Sequence, residues 1–163
     1  MPKAMSRRSL DRSAALYAGI VAGILATLVQ IVLWATFTNA LPEVLFRDAR
    51  LTAAIVMGRG VLPPPATFDG RVMLLAALLH FALSIAYAFA VACLVSGLRN
   101  AYTWLTGAVF GLLLYALNLY GFTSVFPWFE VARGWITAAA HVAFGVSAAG
   151  AYRLLARRNA TRA

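Results

Sequence analysis

The stretch AALYAGIVAGILATLVQIVLWATF, residues 14–37, runs for 24 residues without a charged side chain. The hydrocarbon core of a bilayer is about 30 Å thick, and a helix needs about 20 apolar residues to cross it. The stretch therefore predicts a membrane-spanning helix. Taken alone, such a run also fits a helix buried in the core of a water-soluble protein.

Three further runs of the same character follow, at residues 72–98, 101–122 and 131–155. The chain has 163 residues and is 63% hydrophobic, with a mean hydropathy of +0.81, whereas about half of the residues of a soluble domain are apolar. Four long apolar runs leave too little polar sequence to cover a globule. We therefore predict an all-α membrane protein, a four-transmembrane-helix bundle that forms a single domain over residues 1–163.

The amino-terminal segment MPKAMSRRSLDRSAAL, residues 1–16, is similar to a targeting signal because basic residues precede an apolar run. Arg7 and Arg8 also fit a twin-arginine signal. However, the apolar run that follows is longer than the roughly 7–15 residues of a signal-peptide core. No convincing small-residue cleavage site follows it, so we expect an uncleaved anchor that forms the first span.

The formal net charge of +9 is explained by how the charges divide between two membrane sides. Four spans place nine cations and one acid on the side of the termini, and five cations and four acids on the other side. An excess of arginine and lysine marks the cytoplasmic side, so both termini are predicted to be cytoplasmic. Basic residues there attract anionic lipids, and no nucleic acid partner is predicted. The cytoplasmic set is Lys3, Arg7, Arg8, Arg12, Arg99, Arg153, Arg157, Arg158 and Arg162 with Asp11, and the outer set is Arg47, Arg50, Arg59, Arg71 and Arg133 with Glu43, Asp48, Asp69 and Glu130.

Two features of composition bear on source and compartment. Lys3 is the only lysine against thirteen arginines, and together with the abundant alanine this usage is typical of a GC-rich, bacterial genome. A bacterial source is therefore predicted, for a chain that crosses its membrane several times. Cys93 is the single cysteine, so a disulfide within the chain is excluded.

Residues 39–70 form the one sizeable segment between spans. Its first half carries charges on one helical face and mainly apolar residues on another, which predicts an amphipathic helix of about 15 residues, too short to span a bilayer. Gly58 and Gly60 are expected to end it. We expect this helix to lie on the outer membrane surface, with a lid over the bundle as the alternative. The charged face is Glu43, Arg47 and Arg50, and the other face is Leu45, Ala49, Thr52 and Val56.

Small residues recur with the same spacing in the first and third spans. Transmembrane helices associate through small residues and through polar side chains at their contacts. Each of the two spans has two glycines followed by an amide, and all three positions share one face because the outer two lie about three turns apart. The repeat also suggests that two helical hairpins arose by duplication. The residues are Gly19, Gly23 and Gln30 in the first span, and Gly107, Gly111 and Asn118 in the third.

The second and fourth spans each carry a histidine on the face of their small residues, and Gly145 follows the second of them. His80 lies about 13 Å along its helix from Arg71, and His141 about 12 Å from Arg133, at a rise of about 1.5 Å per residue. These depths predict a layer, in the outer half of the membrane, with one polar group from each span. Its members are Gln30, His80, Asn118 and His141, and Ser84, Tyr87 and Tyr115 are supporting side chains.

Three interpretations of this layer stay open. In the first, the imidazoles are neutral and structural, bonded to neighbouring amides and hydroxyls. In the second, they carry protons or a small solute, because ionisable groups inside a membrane often mark such paths and imidazole titrates near neutral pH. In the third, His80 and His141 ligate a haem or another metal. The first is favoured, and no cofactor is predicted.

Acidic residues lie only at or beyond the span ends, which argues against a proton-coupled antiporter that needs a carboxylate near the bilayer centre. Glu130 comes closest to a span. It follows Pro127, which can start a helix, and it can pair with Arg133. With Trp128, these two residues are predicted to form the outer rim of the bundle. The sequence contains no nucleophile–base pair, phosphate loop, metal cluster or paired carboxylates, so we predict that the chain is not an enzyme.

Several segments resemble one family. HFALSIAYAF (80–89), GAVFGLLLYALNLYGF (107–122), FPWFE (126–130), AHVAFG (140–145) and a basic tail are similar to the YagU-like small inner-membrane proteins of bacteria. The resemblance covers roughly residues 60–158, and the proline-rich segment after the first span also fits it. It implies a location in the cytoplasmic membrane and no particular biochemical activity.

The sequence therefore predicts a scaffold, accessory or stress-related component of the membrane. The alternative is a small oligomeric channel or permease for protons or a small solute, which would use the layer of Gln30, His80, Asn118 and His141. The second alternative is a bundle that binds haem or metal through its two histidines. The expected partners are the lipid bilayer and either further copies of the chain or a larger membrane complex.

Overall fold

The computed structural model describes residues 10–161, and Lys3, Arg7, Arg8 and Arg162 lie outside this range. The described chain is helical throughout and contains no strand, which confirms the predicted all-α class. Its α-helices are α1 (Arg12–Phe37), α2 (Glu43–Met57), α3 (Gly70–Val95), α4 (Asn100–Ala116) and α5 (Trp135–Ala160). The connections contain 3₁₀ turns at Arg59–Val61, Phe122–Ser124 and Pro127–Ala132, and a π-helical turn at Leu117–Gly121.

Three helices of the described chain are long and apolar enough to cross a membrane: α1, α3, and α4 with its continuation to Ser124. Much of their apolar surface faces outward. In α1, for example, Leu28 and Val32 are 52% and 60% exposed. Side chains of this kind are expected to meet lipid, so the protein has the helices of a membrane-embedded protein. The fourth long helix, α5, is as long as α1, with 26 residues. It is less apolar than the other long helices and is not among the three candidate spans.

The connections make α1 antiparallel to α5, and the two helices run beside each other along their whole length. At one end, the side-chain amide of Asn159 donates to Asp11 Oδ2 at 2.8 Å. At the other end, the rings of Phe37 and Trp135 meet edge to face, with centroids 5.1 Å apart. We call the first end, which carries both chain termini, the terminal end, and the second the connector end.

α5 occupies the centre of the bundle. It packs most extensively against α1 and α4, and it also touches α3. α3 lies against α1 on the other side and makes few contacts with α4, its neighbour in sequence. Among the four long helices, α5 is therefore both the least apolar and the one most enclosed by other helices. The three more apolar long helices, α1, α3 and α4, supply the outer surface.

The connector helix α2 lies across the connector end and touches three parts of the bundle. Val44 packs with Trp34 of α1, Leu51 packs with Leu119, and Ala53 contacts α3. The buried residues therefore differ from the predicted face. Leu45, Ala49 and Thr52 are only half-buried, and Val56 is 63% exposed, because α2 is held from several sides rather than along one stripe.

The ends of the helices follow from local hydrogen bonding. Asp11 accepts a hydrogen bond from the Ala14 N–H at the start of α1, and Asp69 accepts two at the start of α3, as expected of residues that cap a helix. Gly58 ends α2 with a φ of +77°, a conformation that favours glycine. The last long helix begins at Trp135, whereas the fourth span was predicted to begin at residue 131, because residues 127–132 form a 3₁₀ turn and Arg133 is extended.

Candidate functional site: a polar cluster inside the bundle

A chain of hydrogen bonds connects the second, third and fourth long helices. The Tyr87 hydroxyl of α3 donates to Asn118 Oδ1 at 3.0 Å. Asn118 Nδ2 lies 3.4 Å from His141 Nε2 in α5. The other ring nitrogen of His141, Nδ1, lies 2.8 Å from the carbonyl oxygen of Thr137, one turn earlier in α5. The structure therefore brings Tyr87, Asn118 and His141 together.

The directions of these bonds are mutually consistent when His141 is neutral. A carbonyl oxygen only accepts, so the Nδ1 atom of His141 carries the proton and its Nε2 atom offers a lone pair. The Asn118 amide donates to that lone pair, while its own oxygen accepts from Tyr87. Each of the three bonds pairs one donor with one acceptor, so the arrangement needs no charge.

Asn118 reaches this position from a π-helical turn, Leu117–Gly121, that follows α4. Turns of this type are frequent at functional sites. Arg133, two residues before α5, secures the turn. Its Nε atom donates to the Leu119 carbonyl at 2.7 Å, and its guanidinium donates to the Thr123 hydroxyl at 3.1 Å. Arg133 therefore fixes the segment that positions Asn118.

His80 belongs to a second group of polar atoms, between α1 and α3. Its Nε2 atom lies 3.2 Å from the Gly23 carbonyl oxygen and 3.2 Å from Thr27 Oγ1. The Thr27 hydroxyl itself donates to the Gly23 carbonyl at 3.0 Å. Because that carbonyl only accepts, Nε2 of His80 carries a proton.

Gln30 does not join either group. It is half-buried in α1 and makes no hydrogen bond within residues 10–161. Thr27, about one turn earlier, takes the place that was predicted for Gln30. A signal for Thr27 exists in the sequence, because it follows Gly23 by four residues and threonine in a helix often bonds the carbonyl four positions back.

The two other supporting residues lie beside these groups. Ser84 is buried at 4% exposure and faces Gly23, at which an added Cβ would lie 2.9 Å from Ser84 Oγ. The ring of Tyr115 meets the His141 ring edge to face, with centroids 5.7 Å apart. The Tyr115 hydroxyl accepts a hydrogen bond from the Gly134 N–H at 3.2 Å. Tyr115 therefore links the end of α4 to the start of α5.

Glycines set the helix separation on both sides of the cluster. An added Cβ at Gly111 would collide with the His141 carbonyl, and one at Gly145 would collide with the Gly107 carbonyl. Between α1 and α3, an added Cβ at Gly19 would lie 2.6 Å from the Cα atom of Ile85. These helices approach closely because no side chain stands between their backbones.

The terminal half of the bundle, by contrast, is filled by small apolar side chains. Its core has contributions from α1, α3 and α5, with side chains packed tightly enough to be almost fully enclosed. Val91 and Val95, for example, have no exposed surface. Tightly packed apolar side chains therefore close the polar cluster on the terminal side. The core residues include Ala14, Ala15, Ala18, Ala22, Ala88, Val91, Ala92, Val95, Ala148 and Ala149.

The rim at the connector end contains the three residues predicted there. Trp128 donates its indole N–H to the Leu51 carbonyl at 3.0 Å, which ties α2 to the loop before α5. Glu130 and Arg133 form an ion pair at 3.3 Å. The Arg133 guanidinium also lies over the Tyr120 ring, 4.4 Å from its centroid. The rim therefore holds the loops together by contacts among its own side chains.

The two histidines do not fit a shared haem or metal. Both ring nitrogens of His141 face protein groups, the Thr137 carbonyl and the Asn118 amide. The Nε2 atom of His80 points at α1, where it meets the Gly23 carbonyl and Thr27. Binding a metal between them would require these hydrogen bonds to break. Within the described residues, three or more His, Cys, Asp or Glu side chains do not gather anywhere in a way that could hold a metal ion.

No protein-family model, curated protein or solved structure matches the chain. The class that its fold and cluster define is a helical protein with three helices long and apolar enough to cross a membrane and with an internal polar cluster. The resemblance to YagU-like proteins stays a prediction.

Proposed function

We propose that the chain is a non-enzymatic integral protein of the bacterial cytoplasmic membrane, with four spans and both termini in the cytoplasm, that serves as a scaffold or accessory component. The observation that carries this proposal is the hydrogen-bond chain from Tyr87 to Thr137. Its donors and acceptors satisfy one another, so its effect is to hold α3, the end of the third span and α5 in one arrangement.

The fourth span is α5, although it is less apolar than the other three long helices. Support comes from its position beside α1, which it accompanies from the pair Asp11–Asn159 to the pair Phe37–Trp135. A helix that runs the full length of a span crosses the same thickness of membrane. Its lower hydropathy is tolerated because neighbouring helices, rather than lipid, cover much of its surface.

The orientation follows from the charges at the two ends. In the described residues, the terminal end carries five arginines and one acid, Asp11, whereas the connector end carries similar numbers of both signs. The positive-inside rule then places the terminal end in the cytoplasm. Its arginines are Arg12, Arg99, Arg153, Arg157 and Arg158.

Reporter fusions test both statements. A fluorescent protein fused after Thr161 should fluoresce, and alkaline phosphatase at the same point should be inactive, because the carboxyl end is cytoplasmic. Fusions after Ser124 should give the reverse pattern. If the fusions at both points behave alike, α5 is not a span. If both patterns are inverted, the assigned orientation is wrong.

A proton path is the second candidate, because the chain from Tyr87 through Asn118 to His141 is continuous and His80 is a second titratable ring inside the bundle, bonded to α1. Such a path would have to open the packed alanines and valines of the terminal half. Liposomes containing the purified protein and a pH gradient distinguish the two roles. We expect no flux above that of empty liposomes. Flux that is lost in both His80→Ala and His141→Ala would favour the path instead.

A further inference from the structure

α3 and α4 are consecutive in sequence but diverge in space, because α3 packs against α1 and α2 while α4 packs against α5. A groove of about 290 Å³ remains beside α4, near the terminal end. Its wall is almost wholly apolar and it opens to the outside of the bundle. The lining residues are Leu94, Leu105, Thr106, Val109, Phe110 and Leu113.

Positive charge lies at the terminal end of α4, beyond the residues that line the groove. Arg99, which precedes α4 directly, is in the turn that joins α3 to α4, and it is exposed. Arg153 of α5 reaches the same turn and donates to the Leu98 carbonyl. The one acid described at this end, Asp11, is held by the Ala14 N–H and by Asn159. The terminal end of the helix that lines the groove therefore favours an anion.

We propose that this groove binds one acyl chain of an anionic phospholipid whose phosphate lies at Arg99. The inference rests on the proposed membrane embedding of the bundle, but it does not depend on the role of the polar cluster. An acyl chain gains little hydrophobic energy by leaving lipid for an apolar groove. Discrimination between lipids must therefore come from the headgroup, and Arg99 is the group that supplies it.

The lining argues for a lipid chain and against a second copy of the protein. Contacts between transmembrane helices are rich in small residues that let backbones approach. The walls here carry bulky side chains, including Leu105, Phe110 and Leu113, and Leu113 is 64% exposed. A flexible acyl chain can fit between such side chains, whereas a helix backbone cannot come close.

Native mass spectrometry of the intact protein, released from nanodiscs that contain equal amounts of dioleoyl phosphatidylglycerol and dioleoyl phosphatidylcholine, tests the proposal. The retained lipid should be enriched in phosphatidylglycerol, and Arg99→Gln should lower that enrichment about fivefold, because Arg99 contacts the phosphate of the bound lipid with a charge interaction of about 1 kcal/mol. Arg158→Gln removes the same charge at the same end and should change it less than twofold.

A second pair of variants tests the groove itself. Leu113→Trp places a larger side chain in the groove and should reduce the number of retained lipids, whereas Leu112→Trp lies on α4 outside the lining and should not. If the correctly inserted protein retains both lipids equally, the lipid-binding proposal is wrong, while the proposed membrane embedding stands. Failure of the protein to insert would instead count against the proposed membrane embedding. A dimer lost only in Leu113→Trp would assign the groove to a second copy.

Discussion

Asn118 is the residue on which the polar cluster depends, because its one amide serves side chains from two other helices. Its oxygen accepts from Tyr87 and its nitrogen donates to His141. Neither partner has another hydrogen bond at the same atom within the described residues. Removing the amide therefore leaves both a hydroxyl and a ring nitrogen unpaired inside the bundle.

Asn118→Leu is expected to lower the free energy of unfolding by about 1–2 kcal/mol, because polar groups left unpaired in an apolar interior lose their bonds without replacement. Thermal unfolding in detergent measures the change, and proton flux in liposomes should not respond. Asn100→Leu is the matched control, since Asn100 is exposed at the start of α4. Equal melting temperatures of Asn118→Leu and the wild type would show that the cluster does not stabilise the fold.

The sequence predicts part of this cluster and not the rest, for reasons visible in single residues. The pattern predicts that His80, Asn118 and His141 face the bundle interior, because they are ionisable or amide side chains on helix faces lined by small residues. Gln30 met the same criterion, yet its side chain bonds nothing in residues 10–161. Spacing along one helix states which face a residue occupies but not which neighbour lies opposite, and Thr27 stands opposite His80 instead.

At the scale of the helix, the glycine contact between α4 and α5 sets how closely the two backbones approach. Gly145→Ala would bring a Cβ against the Gly107 carbonyl, which belongs to rigid backbone, so the helices must move apart. Overpacking of this kind costs about 1–3 kcal/mol. Thermal unfolding should show the loss, whereas Gly97→Ala should show little, since nothing lies within 4 Å of a Cβ there.

Helix ends show where local sequence suffices. Gly58 was predicted to end α2 and does so. The prediction succeeds because the positive φ at the end of the helix depends only on the residue at that position. The π-helical turn Leu117–Gly121 carries no comparable local signal, since it depends on Arg133, which donates to the Leu119 carbonyl from a later segment. The late start of α5 likewise depends on contacts of the preceding loop, such as the bond from Trp128 to Leu51.

The connector helix also carries a pH dependence. Burial raises the pKa of the Asp48 carboxyl above its ordinary value of 3.8, and the neighbouring Arg47 opposes this shift. A raised pKa means that the folded protein holds the proton more tightly than the unfolded chain. The contribution of Asp48 to stability is therefore greatest below pH 3.8 and declines as the pH rises through its raised pKa.

Asp48→Asn should remove this contribution while keeping an oxygen for Arg47. The unfolding free energy of the wild type, minus that of the variant, is expected to fall as the pH is raised from about 4 to 7. Denaturant titrations at several pH values measure it. Glu43→Gln, which removes an exposed carboxylate from the same helix, is the matched control. A difference that increases with pH would contradict the assigned sign.

At the scale of the whole molecule, the bundle separates two environments along its axis. His80, Asn118 and His141 lie toward the connector end, which α2 covers, while most of the core at the terminal end is alanine and valine. Both halves share α1 and α5 as their common framework. The sequence predicted the all-helical class from its apolar runs, whereas the central place of α5 comes only from the contacts of its small residues with two neighbours.

Paired cysteines test this framework directly. In a Cys93→Ala background, Ser13→Cys with Asn159→Cys should crosslink, since the two side chains lie 3.2 Å apart. Phe37→Cys with Trp135→Cys should also crosslink, because those rings are in contact. In the mismatched pair, Ser13→Cys lies at the terminal end and Trp135→Cys at the connector end. The two sites are roughly 30 Å or more apart, because they are separated by the length of α1 at a helical rise of about 1.5 Å per residue. Gel mobility after mild oxidation measures all three. If the mismatched pair crosslinks as efficiently as the matched pairs, α5 does not run beside α1 along its length. The assignment of α5 as the fourth span would then be wrong.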